Sequence, residues 1–221
     1  MGKLIVIEGT DCSGKETQTN KIVERLENIG KKVIKFSFPN YDSPTGKIVG
    51  GPYLGKKSIT DTWFDDPVTL DPKIASLYYA ADRRYNLNII NEYLNNGYIV
   101  FLDRYVSSNM AHQASKLKTK EEKIKIFKWI ETLEYDLLEL PKPDITLFLH
   151  MPYEYAKELK KNRNEIDKHE ENADHLINAE NTYLELSNIY KYKTIECVEN
   201  NKIKSIDSIN DEIFNYLKDL I

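Results

Sequence analysis

The most constraining feature of this chain is a glycine-bounded loop between a short apolar strand and a helix near its start. The strand is predicted over 3–8 (KLIVIE) and the helix over 15–28, where apolar residues recur at helical spacing. Between them, Gly9-Thr10-Asp11-Cys12-Ser13-Gly14-Lys15 fits the pattern G-x-x-x-x-G-K. Such a loop turns backbone N–H groups towards an anion, and the helix N-terminus adds partial positive charge. In this setting the motif predicts a nucleotide phosphate-binding loop.

Strands and helices alternate along the rest of the chain and predict an α/β fold with a parallel sheet. A second strand over 33–38 completes a βαβ unit. Further strands are predicted over 98–102, 145–149 and 194–198, and a closing helix over 206–220. Residues 40–71 are rich in Gly and Pro, which predicts a long, partly helical connection. Because no repeat, low-complexity segment or linker interrupts this pattern, we predict one domain over 1–221.

Composition excludes several classes of protein. Hydrophobic residues make up 41% and charged residues 30%, which favours a globular over a disordered chain. No apolar run reaches the roughly 18 residues that span a bilayer, so we expect no membrane partner. A net charge of −4 argues against nucleic-acid binding. Two cysteines, Cys12 and Cys197, do not make a disulfide framework, so the expected location is cytoplasmic.

One position departs from the phosphate-loop pattern. A Ser or Thr hydroxyl usually follows the lysine and ligates Mg²⁺, but here Glu16 follows, with Thr17 next. Thr17 lies about 100° further around the helix, so it does not directly replace the missing ligand. Three interpretations remain open. Glu16 ligates the metal, water takes the ligand position, or the loop binds nucleotide without supporting transfer.

Charged residues further along the chain indicate a second phosphate-binding end. Asp103-Arg104 follows a predicted strand, at the edge where ligands gather in open α/β sheets. The carboxylate suits Mg²⁺ and the guanidinium suits phosphate, although an exposed ion pair is the alternative. Tyr79 and Arg83 share one helix face, which suits a flat base joined to a phosphate. The alternative there is a core tyrosine beside a surface arginine.

Only five of the 31 basic residues are arginine, so the positions that carry arginine are of interest. Arginine binds phosphate bidentately, whereas lysine is a point charge. The polar stretch 160–168 contains Arg163 and is interpreted as a lid over phosphates, or else as a solvated loop. Two phosphate ends suit transfer between phosphates, which depends on positioning and charge neutralisation. The five arginines are Arg25, Arg83, Arg84, Arg104 and Arg163.

Five segments together resemble the thymidylate kinase family over nearly the whole chain: IEGTDCSGK, FPNY, LYYAADR, DRYVSSNMAHQ and LPKPDITLFL. The pattern D-R-Y-x-x-S-x-x-A is the most family-specific. The resemblance implies the P-loop nucleoside-monophosphate kinase fold, a three-layer α/β/α arrangement with a five-stranded parallel sheet and a short lid at about 153–172. It implies phosphoryl transfer from ATP to dTMP, giving ADP and dTDP, with Mg²⁺ and usually in a homodimer.

The resemblance also implies roles for individual residues. Asp11 is expected at the deoxyribose 3′-hydroxyl, Tyr79 on the thymine ring and Asn109 at the base. Arg83 and Arg104 are expected to hold the acceptor base and phosphate, in an acceptor region over 39–115. The ATP phosphate loop comprises Gly9, Thr10, Asp11, Cys12, Ser13, Gly14, Lys15, Glu16 and Thr17. The acceptor site comprises Asp11, Phe38, Tyr41, Tyr79, Arg83, Arg104, Ser108, Asn109 and His112. Lys15, Asp103, Arg104 and Arg163 are the expected catalytic residues, and Asp103 and Glu16 the expected metal ligands.

Two further departures from the family pattern affect these expectations. Cys12 stands where eukaryotic members have a catalytic arginine, so the missing cation is expected from the lid. Arg163 is the first candidate, with Lys160 or Lys161 behind it. His112 stands where some members have a tyrosine beside the ribose 2′ position, which leaves selection of deoxyribose open. The alternatives are a P-loop kinase of another nucleoside or nucleoside monophosphate, or a non-catalytic nucleotide-binding protein.

Overall fold

A computed structural model describes residues 2–160 and 172–221, which alternate strands and helices. The strands are β1 Lys3–Glu8, β2 Val33–Ser37, β3 Ile99–Asp103, β4 Ile145–His150, β5 Lys193–Glu196, β6 Val198–Glu199 and β7 Lys202–Ile203. The α-helices are α1 Lys15–Asn28, α2 Pro44–Ile48, α3 Pro72–Asn95, α4 Val106–Ala114, α5 Lys120–Glu131, α6 Tyr153–Lys160, α7 Ala173–Tyr190 and α8 Ile206–Leu217. Two segments of π-helical winding, Val49–Tyr53 and Thr132–Leu137, directly follow α2 and α5.

Strands β1 to β5 form a parallel sheet in the order β2-β3-β1-β4-β5, which confirms the predicted five-stranded α/β fold. Parallel neighbours need long crossover connections, and the helices provide them. In the register of the sheet, Asp103 pairs with Ile7 on one side and with Ser37 on the other. The carboxyl ends of β1, β2 and β3 therefore meet at one edge.

Two apolar cores lie on opposite faces of the sheet, because successive side chains of a strand point to opposite sides. On one face, Val6 and Leu102 belong to a cluster with residues of α3, α4, α5 and α7. On the other face, Ile7 and Phe101 pack with residues of α1 and α8. The result is the expected three-layer α/β/α arrangement, and burial on both faces explains the continuous apolar runs of the strands.

Two predicted boundaries near the end of the chain were wrong. The strand predicted over 194–198 is Lys193–Glu196, and Val198–Glu199 pairs antiparallel with Lys202–Ile203 in a separate hairpin. Asn200 and Asn201 connect these two short strands with φ of 50° and 58°, a conformation that asparagine tolerates in tight hairpin turns. The closing helix ends at Leu217 rather than at 220.

The long connection over 40–71 packs onto α3 and forms a third, smaller apolar cluster. Tyr53 is fully buried in this cluster, and Phe64 lies edge-on to it with ring centroids 6.1 Å apart. Lys116 also donates a hydrogen bond of 3.0 Å to the Leu70 carbonyl. Trp63 in the same connection remains 77% exposed. Among the described residues, no helix is long and apolar enough to cross a membrane.

Candidate active site

The loop between β1 and α1 has the backbone geometry of an anion-binding nest. Gly9, Cys12 and Gly14 have positive φ values of 156°, 61° and 82°. A Cβ at Gly9 would lie 2.7 Å from the Leu149 carbonyl oxygen, so only glycine fits there. Gly14 is the N-cap of α1 and supplies no side-chain acceptor to its first turn. The N–H groups of that turn therefore face the cleft at the positive end of the helix.

Lys15 is a buried cation at the floor of this loop. Its Nζ donates a 2.7 Å hydrogen bond to the Thr10 carbonyl oxygen. Burial, followed by the nearby charge of Arg104, lowers the pKa of Lys15 from 10.5 to about 8. Surrounding carboxylates, with Asp11 the strongest, act in the opposite direction on this pKa. An anionic ligand in the loop therefore relieves the cost of keeping this ammonium charged.

The loop opens into a cleft of about 810 Å³ at the carboxyl edge of the sheet. Thr10 and Ser13 are buried beneath the cleft wall, as is Gly9, and support it without lining it. From the loop, the wall is lined by Asp11, Cys12, Gly14, Lys15, Glu16 and Thr17. From the acceptor side, it is lined by Phe38, Tyr41, Tyr79, Arg83, Arg104, Ser108, Asn109 and His112. The structure thus brings the sequence-predicted phosphate and acceptor residues into one cavity.

Arg104 joins the two halves of the cleft. It follows β3 with a φ of 69° and forms an ion pair with Asp11 of the phosphate loop. Its Nη1 also donates to the Gly9 carbonyl oxygen at 3.2 Å and to Ser108 Oγ at 3.3 Å. Burial disfavours the charged guanidinium, but nearby charge, with Asp11 the largest contribution, raises its pKa above the usual value. Asp11, expected at a ribose hydroxyl, is thus also the counter-charge of Arg104.

The buried carboxylate of Glu8 fixes the position of Ser108. Glu8, at the end of β1, accepts hydrogen bonds from the Tyr105 and Ser108 backbone N–H groups at 2.9 and 3.1 Å. Its second oxygen contacts Ser108 Oγ at 2.7 Å and accepts from the Tyr183 hydroxyl at 3.0 Å. This role of Glu8 was not predicted from the sequence, although a glutamate that ends an apolar strand beside a phosphate loop is a signal for it.

Arg83 lies deep in the acceptor side, where it is paired with a glutamate that was not predicted as a site residue. Its Nε and Nη2 donate to the two carboxylate oxygens of Glu134, with the Nη2 bond at 2.7 Å. Asn109 Nδ2 donates to the same carboxylate at 2.9 Å. The side chains of Arg83 and Glu134 are 2% and 0% exposed. A buried arginine requires an anionic partner, but the sequence does not show which one.

The segment FPNY enters the cleft between β2 and α2. Phe38 is buried and packs against Tyr105, with ring centroids 6.2 Å apart. Asp82 of α3 accepts a 2.8 Å hydrogen bond from the Asn40 backbone and so fixes this segment. Lys56 Nζ lies over the Tyr41 ring, 4.5 Å from its centroid, and Lys56 lines the cleft. Lys56 is therefore a further cation at the acceptor side that the motifs did not indicate.

His112 packs against a second histidine at the edge of the cleft. Its Nδ1 lies 3.2 Å from Nε2 of His175, and the two rings are stacked. Burial, and then the charge of Lys116, lower the pKa of His175 from 6.5 to about 4. His175 is therefore neutral near pH 7 and accepts or donates a hydrogen bond without adding charge beside the expected ribose position.

Asp103 is the residue whose setting fits a magnesium ion. Its carboxylate is buried at the end of β3, lines the cleft and raises the pKa of the neighbouring Lys15. Nucleotide-bound Mg²⁺ uses one or two protein carboxylates together with phosphate oxygens and water. Glu16 is exposed on the first turn of α1 and lines the same cleft. Within the described ranges there is no cluster of three or more His, Cys, Asp or Glu side chains that could hold a metal ion.

The predicted lid lies largely outside the described residues. Helix α6 is described to Lys160, and its Leu159 lines the cleft. Lys161 and Arg163 fall in the range 161–171, outside the part of the chain that the structure describes. The expectation that Arg163 supplies a cation therefore stays a prediction.

A phosphate loop on β1, charged residues after β3 and a second, aromatic-lined compartment beyond them define a P-loop kinase. Residues 7–209 match the profile of a protein family described as "Thymidylate kinase". The chain therefore belongs to the thymidylate kinase family.

Individual relatives agree with this assignment. The chain is 32% identical to a thymidylate kinase of Prochlorococcus marinus (strain NATL2A), covering 98% of both chains. It is 28% identical to that of Plasmodium falciparum, covering 98% of this chain and 96% of the relative. The match to the Schizosaccharomyces pombe enzyme is 31% identical and spans 68% of this chain and 61% of the relative. A solved thymidylate kinase from Candida albicans superposes with a TM-score of 0.76 at 26% identity, covering 99% of this chain and 92% of that one.

The lowered pKa of Lys15 predicts that its charge costs stability when no nucleotide is bound. Because the folded-state pKa of about 8 lies below the ordinary 10.5, the cost is present below pH 8 and disappears as the pH rises towards 10.5. Lys15→Met should therefore raise the free energy of unfolding at pH 7 by about 1–3 kcal/mol. This gain should shrink as the pH approaches 10.5. Urea unfolding of the nucleotide-free protein at several pH values measures both effects.

Lys21→Met is the matched control on the same helix. Lys21 is partly exposed and pairs with Asp207 at 2.7 Å, so its replacement should not stabilise the protein. A Lys15→Met protein that is less stable than wild type at neutral pH would contradict the argument.

Proposed function

We propose that this chain transfers the γ-phosphoryl group of ATP to dTMP, giving ADP and dTDP, as a step in dTTP synthesis. The observation that carries the proposal is the single cleft in which the phosphate loop and the acceptor compartment meet through Arg104. Membership of the thymidylate kinase family supports the identity of the acceptor. The alternatives, another nucleoside kinase or a non-catalytic nucleotide-binding protein, are not favoured by these relatives.

The residues of the cleft suit a reaction in which repulsion between two anionic phosphate groups, rather than proton transfer, is the main obstacle. The acceptor phosphate is already an anionic nucleophile, so positioning and charge neutralisation provide most of the catalysis. Lys15 faces the β- and γ-phosphates from the loop, and Arg104 faces the acceptor phosphate from the end of β3. Tyr79 lines the compartment of the base, where its ring can stack on thymine. Burial of Lys15 and partial burial of Arg104 strengthen their interaction with phosphate.

Magnesium is the proposed cofactor, held by Asp103 with the phosphates and with Glu16 as a second oxygen ligand. The ion supplies additional neutralisation of the phosphate oxygens. The exposed position of Glu16 also allows a water molecule in its place, so both interpretations of its carboxylate remain compatible with the reaction. Neither requires Thr17 to act as the metal ligand.

A coupled assay for ADP release tests the function directly. Turnover should require ATP, Mg²⁺ and dTMP together, and dTMP should be preferred over dUMP, UMP and dGMP. The comparison of dUMP with UMP reports whether His112 and its neighbour His175 maintain selection against a ribose 2′-hydroxyl. Absence of dTMP-dependent turnover would refute the kinase proposal, and a stronger response to another monophosphate would reassign the acceptor.

Replacing Arg104 with alanine tests the proposed division of the cleft. Loss of a charge-assisted contact to the acceptor phosphate should raise the KM for dTMP by about 10- to 100-fold, with a smaller change in ATP binding. Arg25→Ala is the control, because Arg25 forms an ion pair with Asp211 on the outer face of α1 and α8. Steady-state kinetics in each substrate separates the two effects. If ATP binding weakens more than dTMP binding, Arg104 belongs to the donor side instead.

We propose that Arg163 supplies the cation that Cys12 cannot provide at the transferring phosphoryl group. Arg163→Ala should lower kcat by about 10²-fold or more while changing KM little, as expected for a contact made in the transition state. Lys168→Ala is the matched control in the same stretch. An equal loss in both variants would show a general charge effect rather than a specific role of Arg163.

A homodimer in the cytoplasm is the proposed assembly and location. Ile74, Leu77, Tyr85 and Ile89 form an exposed apolar stripe along one face of α3, a surface suited to a second copy of the chain. Two cysteines do not make a disulfide framework, which supports a reducing compartment. Sedimentation velocity on the purified chain distinguishes monomer from dimer.

A further inference from the structure

At the inner end of the acceptor compartment, a buried glutamate accepts hydrogen bonds from two residues that line the cleft. Glu134 lies in the π-helical segment Thr132–Leu137, opposite Arg83 on α3 and Asn109 on α4. One carboxylate oxygen accepts from Arg83 Nε, and the other accepts from Arg83 Nη2 and Asn109 Nδ2 at 2.7 and 2.9 Å. Arg83 and Asn109 line the cleft, whereas Glu134 lies behind them. Glu134 therefore acts on a ligand only through these two neighbours.

The carboxylate determines which way the Asn109 amide points. An ionised carboxylate only accepts hydrogen bonds, so the amide nitrogen must face Glu134. That nitrogen also donates to the Ser76 carbonyl at 3.3 Å, which uses its second hydrogen. The amide oxygen Oδ1 is left buried and without a hydrogen-bond partner among the described residues. A buried acceptor of this kind is costly unless a ligand donates to it.

Glu134 constrains Arg83 in the same way. With Nε and Nη2 bound to the carboxylate, Nη1 is the guanidinium nitrogen for which the described residues provide no acceptor. Because both residues line the cleft, a ligand that reaches them meets a donor of Arg83 and the unsatisfied acceptor of Asn109. A base edge with a ring N–H next to a carbonyl oxygen, as in thymine or uracil, matches this pair. The cytosine edge, with a ring acceptor next to an amino group, presents the opposite pattern.

We propose that Glu134 is a positioning residue that sets the polarity of the base-recognition pair and so determines selection of an imide-bearing pyrimidine over cytosine. This inference rests on the proposed function, because it concerns the acceptor base of the same reaction. Glu134 does not contact the substrate. It keeps the Asn109 oxygen, rather than its nitrogen, directed at the base, and it keeps Arg83 fixed beside it.

Glu134→Gln is the most direct test, because glutamine has nearly the same shape but one donor and one acceptor. Because the amide has one oxygen for the donors that two carboxylate oxygens accept in the wild type, an N–H group of the glutamine faces either Arg83 or Asn109, and the orientation of the pair is no longer fixed. The ratio of kcat/KM for dTMP to that for dCMP should fall by at least about tenfold, mainly through a higher KM for dTMP. Glu134→Asp retains an acceptor-only group and should keep most of this selectivity even where overall activity falls.

The double variant Glu134→Gln with Asn109→Asp moves the carboxylate from behind the pair to its front. The introduced aspartate would accept from the introduced glutamine with one oxygen and from the base with the other, at the cost of the contact with the Ser76 carbonyl, and the charge near Arg83 is conserved. Selectivity for dTMP over dCMP should recover relative to Glu134→Gln. This variant also maintains a test if Glu134→Gln fails to fold, because the double variant should then still prefer dTMP. Loss of selectivity in a folded double variant would overturn the proposal.

Controls distinguish this proposal from a structural role and from the function itself. Glu121→Gln, on the exposed side of α5, should change neither activity nor selectivity. If Glu134→Gln lowers kcat/KM for dTMP and dCMP by the same factor, Glu134 is merely structural and the proposal is wrong. Wild-type protein without dTMP turnover would refute the proposed function instead. Equilibrium binding of dTMP and dCMP, measured by calorimetry, gives a second readout that does not depend on turnover.

Discussion

Parallel pairing of β1 with β3 is the constraint on which the site depends. The register that places Ile7 beside Asp103 brings the phosphate loop after β1 and the charged pair after β3 to the same edge of the sheet. Arg104 then reaches back to Asp11 and to the Gly9 carbonyl oxygen. A shift of this register by one residue would reverse the faces of β3 and bury the wrong side chains. The apolar packing of the sheet therefore fixes the distance between the two halves of the cleft.

The second determinant is the balance of charge within this cleft. Lys15, Arg83 and Arg104 are each held near carboxylates, and burial makes every one of these charges expensive unless it is paired. The pairs differ in which side of the cation they leave available to a ligand. Glu134 occupies one side of Arg83, whereas Asp11 and the Gly9 carbonyl hold Arg104 at the junction of loop and acceptor site. Carboxylates thus orient the cations while the cations remain directed towards an anionic ligand.

Local features could be predicted from the sequence because they depend on neighbouring residues, whereas the partners of distant groups could not. The bounds of β1 and α1 follow from the apolar run before Gly9 and the helical spacing after Lys15, and both match the structure. The hairpin after β5 was missed because Asn200 and Asn201 reverse the chain beyond an apolar pattern that continues past the strand. Glu134 lies more than 50 residues from Arg83, within an ordinary amphipathic pattern, so only long-range packing identifies it as the partner.

The scarcity of arginine acquires a physical explanation from the two that lie in the cleft. Lys15 shows what burial does to an ammonium, since its pKa falls to about 8. A guanidinium keeps its charge under the same conditions, and the pKa values of Arg83 and Arg104 are raised by their carboxylate partners. Its planar fork also binds a carboxylate with two nitrogens and leaves a third for a ligand. Arginine is therefore the residue that the acceptor side requires, whereas lysine suffices at exposed positions.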